Sequence, residues 1–196
     1  MLMVTICEMN SHKCRGVAAL HCDALRDDFL PSLGIDYLEK GYYKASIENP
    51  CGKVFVAEIN GEIVGFINVS INSRKYLRSV WGKKTRLLLT TILRLFATRP
   101  IRFFEGIAIS LAKVPVHRGG EIVFIAVDPA HQKQGIGKML VEAAHRYFLA
   151  AGVHFVFTKT LESNKQVIRM YQRFGAETAG KLKILKKEYL YLSWNI

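Results

Sequence analysis

The stretch Glu121-Ile-Val-Phe-Ile-Ala-Val-Asp-Pro-Ala-His-Gln-Lys-Gln-Gly-Ile-Gly-Lys138 constrains the chain more than any other. Its first half is a short, dense apolar run rich in Ile, Val and Phe. That is the pattern of a buried strand rather than of a helix. Asp128-Pro129 then turns the chain. Beyond Gly135 and Gly137, residues Met139, Leu140 and Ala143 recur on one helical face, so a helix is predicted over 135–150. A strand turning tightly into a helix places that helix on a sheet face, which sets the class as α/β. Such a helix start presents four main-chain N–H groups without intrahelical partners and about half a positive charge. Glycine leaves room for a bulky anion to approach the main chain, and Lys133 and Lys138 add positive charge. The turn therefore reads as a phosphate or diphosphate site. Its spacing fits neither a Walker loop nor a Rossmann fingerprint. On the loop alone, a turn whose glycines serve only packing is an open alternative.

The remaining elements extend the α/β pattern. Val4–Met9 alternates as a strand, and Ser11 stands as the cap of a helix expected to run to Phe29. Pro31 and Gly34 punctuate, and a second helix is predicted over Ile35–Ile47, ended by Asn49-Pro50. Val54–Ile59 and Glu62–Ser70 flank Asn60-Gly61, a hairpin signal. Lys83–Thr98 reads as helical and Phe103–Lys113 as a second apolar run. A strand is expected over Val153–Thr158 and a short helix over Asn164–Phe174. Two closing strands follow near Glu177–Lys183 and Lys187–Trp194. The whole is a single domain of mixed sheet and flanking helices, with a basic, apolar helical insertion at about 71–119.

Charge singles out that insertion. The chain of 196 residues carries a formal net charge of +12. Between Asn72 and Arg118 stand 11 Lys/Arg and one acid, Glu105, so this segment alone contributes +10 (11 − 1). Leu87–Leu89, Ile92, Leu93, Leu95 and Phe96 fill more than one helical stripe within it. Three readings follow: a lid or homodimer contact drawing an anionic acceptor, a helix on an anionic membrane surface through about 80–113, or a helix packed on the sheet with a solvated basic edge. No nucleic-acid reader motif accompanies the charge, so nucleic acid is not expected as a partner. Cys7, Cys14, Cys22 and Cys51 show no zinc or disulfide spacing. They are expected to be reduced thiols of a cytoplasmic protein, and no metal is expected. The N-terminus lacks the features of a signal peptide, and no run reaches the ~20 apolar residues that span a bilayer.

The motif Gln132-x-x-Gly135-x-Gly137, with Val127-x-Pro129 before it and Ile136-Gly137-Lys138-x-Leu140 after it, resembles the GNAT (GCN5-related N-acetyltransferase) superfamily. Asn164-x6-Tyr171-x-x-Phe174-Gly175 extends the likeness, which is firm over Glu121–Ala176 and looser over the hairpin. Ala176 departs from the Phe usual there, and residues 71–119 have no counterpart in a minimal member. The resemblance implies a mostly antiparallel sheet with a splayed parallel pair, and acetyl-CoA as co-substrate. It assigns Ile125, Ala126 and Val127 to main-chain contact with the pantetheine arm. Gln132, Lys133, Gln134, Gly135, Ile136, Gly137 and Lys138 would hold the diphosphate, and Asn164 would touch the cofactor. Tyr171 would protonate the departing thiolate, and Glu121 would be the base, as in the family's histone-acetylating members.

Those roles have chemical reasons. An ammonium has no lone pair, so the amine must lose a proton, which a nearby carboxylate can accept directly or through water. Plainer readings stand beside them: Glu121 as a water-facing residue at the start of its strand, Tyr171 as a core aromatic. His131 and His145 are expected at the surface, His117 is a lesser base candidate, and His21 and Asp27 are candidate acceptor contacts for which a surface role is the favoured reading. The expected activity is N-acetylation of a primary amine on a small molecule, such as an amino sugar or another biosynthetic amine. A protein N-terminus or lysine is the alternative acceptor. A non-catalytic acyl-CoA-binding or membrane-surface module is the alternative of another class.

Overall fold

The computed structural model describes residues 3–26, 28–82, 85–111, 119–184 and 187–196. Seven strands form one sheet in the order β1-β2-β3-β4-β5-β7-β6. They are β1 (Val4–Glu8), β2 (Gly52–Ile59), β3 (Glu62–Ser70), β4 (Gly120–Val127), β5 (Phe155–Leu161), β6 (Glu177–Ile184) and β7 (Lys187–Asn195). Only β4 and β5 run parallel; every other neighbour is antiparallel. The β2–β3 hairpin turns on Asn60 (φ 51°) and Gly61 (φ 84°), the left-handed pair that matches strand twist.

Each face of the sheet carries its own apolar cluster. On one side α1 (Cys14–Ala24) and the helical residues 35–47 bury Val17, Ala18, Leu38 and Tyr42 against Val54, Val56 and Phe66. On the other side α7 (Ile136–Ala150) and α8 (Lys165–Gln172) bury Leu140, Val141, Phe148, Ile168 and Tyr171 against Ile67, Ile122 and Val156. The apolar stripe of α7 foreseen from Leu140 and Ala143 is the face laid on the sheet.

The differences from the sequence expectations are local. The first helix stops at Ala24 rather than Phe29, because Leu25 leaves helical geometry (φ −121°, ψ 40°) and Arg26 Nε donates to the Asp23 carbonyl. Its entry is capped by Asn10, whose side chain accepts from the His12 N–H, not by Ser11. The second rod begins with α2 (Ile35–Tyr37), ends with α3 (Lys44–Ile47), and is wound as a π-helix over Leu38–Tyr43. Between β3 and β4 lie α4 (Ser73–Gly82), α5 (Thr85–Thr98) and α6 (Pro100–Leu111). Helix α4 was not foreseen. Its buried side, Tyr76 and Val80, is too narrow among Arg74, Lys75 and Arg78 to show in a sequence window.

Phe148 is fully buried where α7 crosses the sheet. Phe148→Ala is expected to cost about 3–5 kcal/mol, read as a lower urea midpoint with an unchanged m-value.

Candidate active site

The site starts from an interrupted strand pairing. Strands β4 and β5 pair only over Gly120–Ile122 and Val156–Thr158. Thr158 Oγ1 closes this short ladder by donating to the Ile122 carbonyl at 2.8 Å. Beyond it, β4 continues to Val127 paired with β3 alone, while β5 continues to Leu161 paired with β7 alone. A wedge opens between them. The β3–β4 register slips at Asn68/Val69, leaving Val123 unopposed and turning both Val123 and Phe124 toward the α1 side. This bulge bends β4 away from β5. Ile125, Ala126 and Val127 stand on the free edge. The main-chain groups there that turn away from β3 need a partner from outside the sheet, which Gln132 already supplies to the Val127 carbonyl.

The wedge leads to the glycine turn. Asp128 accepts from the Ala130 N–H at 2.8 Å, and Gln132 Nε2 donates to the Val127 carbonyl at 3.1 Å. The Gln132 side chain thus braces the turn onto the strand end. Lys133 (φ 62°) and Gly135 (φ 84°) are both left-handed, a local shape that gathers N–H groups into an anion-binding concavity. Gly135 is the N-cap of α7 and brings no side-chain cap. The first helical bond runs from the Met139 N–H to the Gly135 carbonyl at 3.1 Å, so the N–H groups of Ile136, Gly137 and Lys138 precede the helical ladder.

The two glycines serve different ends. A Cβ on Gly135 would meet nothing, and its φ is the reason for glycine. A Cβ on Gly137 would lie 3.0 Å from Met170 Sδ, so that glycine lets α8 pack close. Lys133 and Gln134 are exposed, and Lys138 Nζ lies 3.6 Å from Glu142 on the outer face of α7. Asn164 caps α8, accepting from the Val167 N–H at 3.3 Å, at the rim beyond β5.

Tyr171 and Glu121 flank the narrow end of the wedge from opposite faces. Tyr171 is buried on the α7 side, its ring 5.4 Å from that of Trp194, its hydroxyl hydrogen-bonded to Thr158. Burial pushes its pKa well up, so it stays protonated. Glu121 is opposite Ser70 in β3 and one residue before the last parallel pair. Desolvation raises its pKa above the ordinary carboxylate value of 4.5, with Ser73 and Lys159 pulling it partly back. Its charge is felt by Tyr42, Tyr76 and Tyr191. It is therefore partly buried among hydroxyls rather than a water-facing residue at the head of its strand.

A buried polar chain continues on that face. Asn68 Nδ2 donates to Tyr42 Oη (3.1 Å) and lies 2.8 Å from Tyr76 Oη, which is also 2.8 Å from Ser46 Oγ. Thr158, Asn68, Ser73 and Tyr76 carried no signal in the sequence, because single polar residues inside apolar strands or an exposed helix mark nothing by spacing.

Two histidines differ from the surface positions favoured for them. His21 is fully buried, its Nδ1 2.5 Å from Tyr43 Oη and its ring against Phe66 and Phe124. His145 is half-buried, accepts from Trp194 Nε1 at 3.1 Å and packs edge-on to Phe174, and burial lowers its pKa. Helical spacing turned both toward the sheet. His131 sits partly buried in the turn. His117 and Asp27 lie outside the described residues.

The acetyltransferase (GNAT) family model matches residues 21–176, and the chain belongs to that family. No curated protein sequence matches it significantly. Among solved structures it is similar to an N-acetyltransferase from Staphylococcus aureus Mu50, with a TM-score of 0.66, 16% identity, and 98% of each chain covered. It is similar to the ribosomal-protein-S18-alanine N-acetyltransferase from Escherichia coli, with a TM-score of 0.64, 16% identity, and 99% of this chain and 94% of that one covered. A chimeric spermidine N-acetyltransferase from Vibrio cholerae gives a TM-score of 0.64 and 16% identity, covering 98% of this chain and 95% of that one. These likenesses establish the fold, including the mixed sheet with one splayed parallel pair.

Burial also fixes a pH response. It holds the pKa of His21 at about 3, below its ordinary 6.5. As pH falls below 6.5 the unfolded chain takes up this proton and the folded chain does not, so folding stability falls. The slope is about 1.4 kcal/mol per pH unit until pH nears 3. His21→Gln should remove one proton from the pH slope of the urea midpoint between about pH 6 and 4. An unchanged slope would refute the assignment.

Proposed function

We propose that the chain is an acetyl-CoA-dependent N-acetyltransferase acting on a primary amine of a small molecule. The observation that carries the reading is the unpaired edge of β4 running directly into an uncapped helix start. The residues fit the co-substrate: the α7 amides from Ile136 to Lys138, with Lys133, suit a diphosphate. The edge at Ile125, Ala126 and Val127 suits the amides of a pantetheine arm, and Asn164 stands at the rim. Bound there, acetyl-CoA would supply a thioester carbonyl open to attack.

The protein's own part is proton handling and positioning. Glu121 takes the amine proton, directly or through a water, and its raised pKa brings it closer to the ideal for a base near neutral pH. Tyr171, kept neutral by burial, holds a proton at its hydroxyl for the departing thiolate. No covalent enzyme intermediate is needed. A small acceptor is favoured because α4 roofs the Glu121 side: Tyr76 is fully buried there and Ser73 reaches toward the carboxyl. An open groove for a protein segment would need that side uncovered.

Purified protein with acetyl-CoA and a panel of small amines should release free thiol. Silence across the panel despite tight coenzyme binding would instead favour a non-catalytic acyl-CoA-binding module. Glu121→Gln is expected to lower kcat by roughly a hundred- to ten-thousand-fold and to erase the rising limb of the kcat/KM profile, which lies above the usual carboxylate range. A retained limb would move the base elsewhere. Tyr171→Phe is expected to lower kcat with little change in the KM for acetyl-CoA, and undiminished turnover would reassign that residue.

A further inference from the structure

The insertion carries an apolar surface that the proposed reaction does not use. Helices α5 and α6 pack against each other and lay one face on the core through Leu88, Leu95 and Phe103, with Gly106 against Phe29. Their other face is uncovered. Leu89, Leu93 and Phe96 on α5, and Ile101 and Phe104 on α6, are each more than half exposed, Ile101 by 79%. Phe96 meets Phe103 at 5.1 Å between ring centroids and Phe103 meets Phe104 at 5.5 Å, so the two exposed flanks join. Solvated proteins rarely expose a continuous patch of large apolar side chains without a use for it.

Basic groups share the insertion with the patch. Arg74, Lys75, Arg78, Arg94 and Arg99 are exposed on the same insertion. At the α5–α6 turn, between Phe96 and Ile101, a recess of about 180 Å³ is lined by Cys22, Arg26, Pro31, Ser32, Arg99 and Arg102. Arg26 is partly neutralised by Asp23 at 3.3 Å. Arg99 and Arg102 also line the recess, Arg102 with an interaction of its own, and its volume is large enough to admit a phosphate group.

We propose that the outer face of the α5–α6 hairpin docks on an anionic lipid bilayer, its apolar side chains entering the acyl boundary and the arginine recess receiving a lipid phosphate. Charge decides between occupants. A second copy of this chain would set a segment of +10 against itself, whereas an anionic surface complements it. None of the described helices is long and apolar enough to cross a membrane, so the contact lies on the bilayer rather than through it. The hairpin packs on the α1 side of the sheet, so docking turns the Glu121 side toward lipid.

Flotation of the full chain with vesicles tests this. The protein should float with one part phosphatidylglycerol in two parts phosphatidylcholine at low salt, and not with phosphatidylcholine alone. About 0.5 M NaCl should release it. Leu93→Glu with Phe104→Glu should weaken binding at least about tenfold while lowering the urea midpoint only slightly, since both side chains are more than half exposed. Arg99→Ala and Arg102→Ala should each weaken it about fivefold. Failure to float with the anionic vesicles overturns the proposal, as does undiminished binding by the Leu93→Glu/Phe104→Glu variant. So does release by millimolar inorganic phosphate at constant ionic strength, which would make the recess a site for free phosphate. A dimer that dissociates in the Leu93→Glu/Phe104→Glu variant, with no vesicle binding by either form, would assign the face to self-association instead.

Discussion

The parallel pairing of β4 with β5 lasts three residues, and the proposed chemistry depends on where it stops. Had the ladder continued, the main chain of Ile125 to Val127 would be saturated and α8 would close over it. Instead the bulge at Val123 bends β4 outward, and Thr158 takes the last carbonyl, that of Ile122. The free edge ends at the start of α7, which carries no side-chain cap. On the proposed reading, an extended arm with polar ends would find main-chain partners along this edge. Rigid strands hold those partners more firmly than loops could.

Around the narrow end, burial sets the protonation states. It raises Glu121 and Tyr171 and lowers His21. A carboxyl nearer neutrality, a hydroxyl that keeps its proton and an imidazole that stays neutral are all responses to loss of water. The hydrogen-bonded set of Ser46, Asn68, Tyr42 and Tyr76 satisfies these four buried side chains near Glu121. It ties the π-wound rod, the sheet and α4 into one wall, so the insertion helps to shape the proposed acceptor side as well as to add a surface.

Much of this was legible in the sequence because it rests on local rules. The strand before Asp128, the glycine turn, the helix after it and the Asn60-Gly61 hairpin all follow from periodicity and from residues that tolerate positive φ. The family motif located Gln132, Gly135, Asn164 and Tyr171, but not what each side chain does. Gln132 braces the strand end, and Gly137 admits Met170. The burial of His21 and His145 was hidden because a lone histidine on an apolar stripe gives no sign of what packs over it. Glu121 illustrates the same limit. Its spacing placed it at the start of a strand, while its environment comes from α4, more than forty residues earlier in the chain, and from Lys159 on a neighbouring strand.

The central claim is that main-chain amides at the end of β4 and the start of α7 grip the co-substrate. Residue-resolved amide hydrogen exchange, with and without acetyl-CoA, tests it most directly. The account predicts slowed exchange confined mainly to the free edge through Val127 and to Ile136, Gly137 and Lys138. Saturating acetyl-CoA that leaves those amides exchanging at their original rates, while protecting another part of the chain, would contradict it.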